Sequence, residues 1–188
     1  MTKIQPKMKQ IIAILCYLIP IASYSGGHGH EAEAHVHGVA SMNWVLEGTE
    51  LSIVLQSPMM NLLGFEYRPK NKDEKLLFAA MTDKLKNPTK VIELIGGECR
   101  LMSANISNPF REEIDHEEEG STLSHGPSHS GIRAKYDFLC QQPSQFEAMN
   151  VELFNTFSDF KMINAQWIAN GKQGAAELNQ HQHLIKVR

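Results

Sequence analysis

The chain of 188 residues carries 18 Lys and Arg against 21 Asp and Glu. Lys3, Lys7 and Lys9 all lie in the first nine positions, so a chain without that leader has 15 basic and 21 acidic residues, a net charge of −6. That balance argues against a basic surface for nucleic-acid phosphates, and the roughly 160 residues left fit one ordinary domain.

The leader has the order of a secretory signal: three lysines, the apolar run 11–22, then Ser23, Tyr24 and Ser25. Cleavage is expected after Ser25, with Ala22 and Ser23 as alternatives, giving a signal peptide at 1–25 and a mature domain at 26–188. The apolar run falls short of the about 20 residues a membrane span needs. The mature form is therefore expected to lack a span. A lipoprotein cut at Cys16 is disfavoured by the bulky Leu15 before it.

Next comes the stretch 26–38, GGHGHEAEAHVHG, with His28, His30, His35 and His37. Alternate residues of an extended strand share a face, so His35 and His37 would sit roughly 6.5–7 Å apart on one side. Two imidazoles at that spacing can chelate one metal ion such as zinc. Imidazole also suits copper and nickel.

The pattern then alternates. Ala40, Met42, Trp44 and Leu46 take one strand face, with His35, His37, Ser41 and Asn43 on the other. Glu47–Glu50 reads as a turn, and Leu51, Ile53 and Leu55 as the return strand of a hairpin. Pro58 suits a helix start, so 59–63 is expected as a short helix closed by Gly64. Asn71 and Glu74 have capping-box spacing. Leu77, Ala80, Met81 and Leu85 follow as an apolar stripe expected in the core, and Asn87-Pro88 stops the helix.

Residues 91–95 end at Gly96-Gly97. Cys99–Ser107 is expected as a strand with Leu101, Met102, Ala104 and Ile106 packing. Residues 108–131 are rich in Glu, Ser, Gly and His, including His116, His125 and His129. Such a composition cannot bury enough surface to offset its ordering entropy, so this stretch is expected as a disordered insertion. It reads either as a solvated linker or as a low-affinity cation collector.

Residues 132–140 alternate again. Cys99 and Cys140 flank the insertion, and in an oxidising compartment two cysteines most simply pair. A Cys/His zinc site is the alternative. A strand at 146–153, a short helix at 154–160, a strand at 162–168 and an Asn170-Gly171 turn follow. His181 and His183 form a second His-x-His near the C-terminus. A C-terminal strand beside the N-terminal one would make either of them a third ligand with His35 and His37; His28, His30 or Glu31 could fold back instead.

Hairpin followed by short helix occurs at 39–65 and again at 132–160. Together these readings give an α+β fold of antiparallel β hairpins with a few helices. They suggest two related halves joined by a disordered His/Glu-rich insertion.

Three stretches carry a family resemblance: His35-Val36-His37-Gly38, the run 57–66 (SPMMNLLGFE), and Tyr136-Asp137-Phe138-Leu139-Cys140, with Trp167 in its strand. Through them the chain resembles the ZrgA-like zinc-regulated periplasmic proteins of Gram-negative bacteria, over most of its mature length. The resemblance implies zinc binding in the periplasm, a role in zinc acquisition beside a zinc-uptake ABC transporter system, and a histidine-rich segment between folded halves. Here the insertion holds three histidines and is dominated by glutamate, which shifts the expected zinc ligands toward the two ends of the chain.

Two other function classes compete. A zinc hydrolase needs three fixed ligands, an open position and a general base. No His-Glu-x-x-His helix, nucleophile elbow or triad spacing occurs, so no enzyme is expected. The other class is an envelope interaction module that docks on an exported partner or transporter, with incidental histidines.

Overall fold

The computed structural model describes residues 36–107, 109–110 and 131–187. The alternating segments become strands whose apolar faces point inward. β1 (Val39–Glu47) buries Ala40, Met42, Trp44 and Leu46; β2 (Glu50–Pro58) buries Leu51, Ile53 and Leu55. They form the expected hairpin, with Trp44 opposite Ile53. Met60–Leu63 is a four-residue helix, α1, ended by Gly64. α2 spans Lys72–Lys86 with the full capping box between Asn71 and Glu74.

The core stripe of α2 differs from the expected one. Met81 and Leu85 are buried, but Leu77 is 55% exposed and Ala80 is exposed too. The inward stripe runs through Phe78, Met81 and Leu85, at the 3.6-residue period. Leu76 and Leu77 flank it, so periodicity alone left the rotational phase open. The buried Tyr136 hydroxyl donates to the Leu85 carbonyl at 2.7 Å and ties the helix end to the sheet. Burial pushes the phenol's pKa far up.

β3 (Ile92–Ile95) and β4 (Cys99–Ile106) follow. Met102, expected to pack, is 56% exposed. β4 shifts register between Leu101 and Ser103, so Met102 is the extra residue of a bulge. β5 (Gly131–Cys140) pairs with β4, and Cys99 stands opposite Cys140, bonded with an S–S distance of 2.06 Å. This is the expected disulfide, and it removes the Cys/His zinc alternative. Of the expected insertion, Phe110 packs on Phe78 with ring centres 5.9 Å apart, and Gly131 already belongs to β5. Residues 108 and 111–130, with His116, His125 and His129, lie outside the described residues.

After β5 come β6 (Ala148–Val151), the short helix α3 (Leu153–Thr156), β7 (Met162–Ala169), β8 (Lys172–Leu178) and β9 (Leu184–Lys186). One sheet has the order β4-β5-β2-β1-β7-β8, the other β3-β6-β9. The architecture is α+β, mostly antiparallel, but β7 lies parallel to β1 with Trp44 level with Trp167. The hairpin expected within 132–160 does not form: β5 sits between β4 and β2, while β6 joins the second sheet. Sequence alternation reports which face is buried, not which strand is the neighbour. Both sheets contribute to one buried cluster, in which Trp44 stacks on Trp167 at 5.7 Å and meets Phe146 edge-on at 5.8 Å.

Candidate metal centre

The site is built where the N-terminal stretch enters the fold. Residues 36–39 form a turn closed by the Val39 N–H on the Val36 carbonyl at 3.0 Å. Gly38 has φ +88°, and a Cβ there would lie 2.8 Å from Lys161 Cδ. Only glycine meets both demands without strain. The Gly38 carbonyl accepts from the Lys161 N–H at 2.8 Å and the Met162 N–H at 3.0 Å, which joins the turn to the start of β7.

Asn61, buried in α1, holds the other side. Its Oδ1 accepts from the Gly38 N–H at 2.6 Å. Its Nδ2 donates to the Val39 carbonyl at 3.0 Å and to Ser57 Oγ at 3.2 Å. A polar side chain inside an apolar tetrapeptide, Met60-Asn61-Leu62-Leu63, is thereby fully used. The chain leaves α1 at Gly64 and brings Glu66 back to the turn. His37 Nε2 lies 3.5 Å from Glu66 Oε1; the His37 side chain is 57% exposed and that of Glu66 19%. The Oε1 atom itself is buried.

His37 therefore stands on a turn, not on the strand face expected for it. The positive φ of Gly38 breaks the alternation one residue before β1 begins. The shared strand face with His35 is lost at the His37 end, and His35, like His28 and His30, lies outside the described residues.

The C-terminal pair is placed elsewhere than expected. β9 pairs with β6, and β1 is flanked by β2 and β7, so no C-terminal strand runs beside β1. His181 is exposed, its backbone N–H donating to Asn179 Oδ1 at 2.9 Å. The His183 carbonyl accepts from the Val151 N–H at 3.0 Å, and its ring lies 6.0 Å from that of Phe154. Among the described residues no three His, Cys, Asp or Glu side chains are grouped to hold a metal ion.

Two other features of the six-stranded sheet present polar groups away from this turn. A concavity on the outer face of the six-stranded sheet is lined by groups such as Asn43, Val45, Ser52, Val54, Gln166 and Ile168; its lining holds no ionisable side chain, and its side-chain oxygens are those of amides and one hydroxyl. On the same face Asp137 accepts from Ser52 Oγ and Ser103 Oγ, both at 2.9 Å, and from Lys135 Nζ. Partial burial raises the Asp137 pKa, but the bonds from Lys135, Ser52 and Ser103 outweigh it and hold the carboxyl below the usual range.

Glu66 and Asn61 were not among the site residues expected from sequence. Both lie in the run 57–66 that carried the family resemblance, and the buried amide within α1 was the available signal. The family model described as ZrgA family zinc uptake protein matches residues 34–187, which takes in His35, His37, Asn61 and Glu66. No curated protein matches the chain.

Proposed function

The chain belongs to the ZrgA family of zinc uptake proteins, and on that premise we propose that it is a periplasmic zinc-binding protein. It captures or buffers the ion and supports uptake by a zinc ABC transporter system. The single observation that carries this reading is the turn at 36–39. Gly38, next to His37, is held against the folded body by Asn61 and by the start of β7, and a carboxylate lies beside His37. A histidine in a solvated tail would need no such support. Export rests on the leader sequence at 1–25. Among the described residues no helix is long and apolar enough to cross a membrane.

The assignment is to binding rather than catalysis. Neutral imidazole is the suitable zinc ligand near pH 7, and binding weakens as histidines protonate below about pH 6.5. His28, His30 and His35 act as further donors, and His116, His125, His129, His181 and His183 as weaker ones.

Calorimetric zinc titration of the mature protein tests this reading. Replacing His28, His30, His35 and His37 together by alanine should remove the tightest transition and leave the circular dichroism spectrum unchanged. A tight transition that survives this change, but disappears when His116, His125 and His129 are replaced, would move the site into the insertion.

A further inference from the structure

We propose that His37 Nε2 and Glu66 Oε1 are two ligands of one zinc ion, forming an open half-site on the turn at 36–39; this rests on the zinc-binding reading above. The separation of the two atoms carries the argument. At 3.5 Å they stand beyond the 2.7–3.2 Å range of a good N–H···O hydrogen bond. Zinc binds imidazole nitrogen at about 2.0–2.1 Å and carboxylate oxygen at about 2.0–2.2 Å, so neighbouring donors in a tetrahedron lie about 3.3–3.5 Å apart. The two atoms already stand at the span of two zinc ligands.

The surroundings hold that span. Gly38, next to His37, is fixed by Asn61 Oδ1 on its N–H and by two β7 amides on its carbonyl. Glu66 follows α1, the same short helix that carries Asn61, after its stop at Gly64. One buried amide thus sets the distance between two ligand-bearing segments. Ligands held in place before the metal arrives lose little freedom on binding it.

Burial is asymmetric. The Glu66 oxygen is buried, whereas the imidazole is more than half exposed. The metal position opens to solvent on the histidine side. His37 and Glu66 supply two of four positions, and the rest fall to water or to donors from outside the pair. An ion held in this way exchanges more readily than one in a closed four-ligand site, which suits delivery better than storage.

The test uses the mature protein with His28, His30 and His35 replaced by alanine, so that other N-terminal donors do not mask the pair. Glu66→Gln preserves shape and removes the charge. The proposal expects Glu66→Gln and His37→Ala each to weaken zinc binding tenfold or more, with the double variant little worse than either. A wild-type measurement guards against misfolding: zinc titrated into unsubstituted mature protein should shift the His37 Nε2 resonance in nitrogen-15 NMR. Loss of affinity in His37→Ala but not in Glu66→Gln overturns the half-site and leaves the zinc-binding reading intact. No loss in either variant, with no shift at His37, overturns the half-site and moves the zinc to other donors of the chain; no zinc binding by the unsubstituted mature protein overturns both.

Discussion

Replacing Asn61 by alanine would remove three hydrogen bonds at once: from the Gly38 N–H, to the Val39 carbonyl and to Ser57 Oγ. The amide is buried, so its backbone partners are not simply handed to water. Leaving a buried donor or acceptor without a partner costs about 1–3 kcal/mol. Two backbone groups are affected, one fully and one partly buried, which gives about 3 kcal/mol in all. For a domain of this size, about 2–4 °C of melting temperature corresponds to 1 kcal/mol, so a fall of about 6–12 °C is expected. Thermal and urea unfolding followed by circular dichroism would read it. The same change frees the turn that carries His37, so zinc affinity should fall in the folded variant as well. A loss below about 0.5 kcal/mol, the level of an ordinary surface substitution, would refute the reasoning. The Asn61 bonds would then be incidental to the turn.

Four further outcomes follow from the same geometry. Mature protein unfolded without reductant should show no free thiol, and Cys99→Ala with Cys140→Ala should cost about 4 kcal/mol for a closed loop of 41 residues' separation; a change below 1 kcal/mol would count against the loop-entropy argument. A Cβ on Gly174 would lie 2.3 Å from Trp167 Cζ2. Gly174→Ala should therefore displace a ring stacked on Trp44, cost about 1–3 kcal/mol and alter the near-ultraviolet dichroism; an unchanged spectrum would contradict it. Because the Asp137 carboxyl is held low in the folded state, its stabilising contribution is present above the unfolded pKa of about 3.9 and is lost as pH falls through the lower folded value. Asp137→Asn should flatten urea midpoints over that acid range, and parallel curves for the two proteins would refute this. Finally, deleting 112–129 with a Gly-Ser link while keeping Phe110 should move the melting temperature by no more than about 2–4 °C, near 1 kcal/mol; a larger fall would mean that the segment packs on the core.

Much of the local structure was legible in the chain. Alternation marked β1, β2 and β5 because a strand turns successive side chains to opposite faces. The capping box of Asn71 and Glu74 marked the start of α2, and the left-handed Gly64 marked the end of α1. The cysteines flanking the insertion pointed to their bond. These signals are local, or need only two residues in the right compartment.

What tertiary structure decided is non-local. The phase of α2 depended on where the sheet offered a surface: Met81 and Leu85 kept their expected places, and Leu77 and Ala80 gave way to Phe78. The parallel pairing of β1 with β7 left no signature in either strand, because an apolar face does not name its neighbour. His37 left the strand because Gly38 takes a positive φ in contact with Lys161 and with an amide 23 residues further on. The meeting of His37 with Glu66 required α1 to stop at Gly64 and the chain to turn back. Spacing along a chain can bring two ligands together only while the backbone keeps one period, and at Gly38 that period ends.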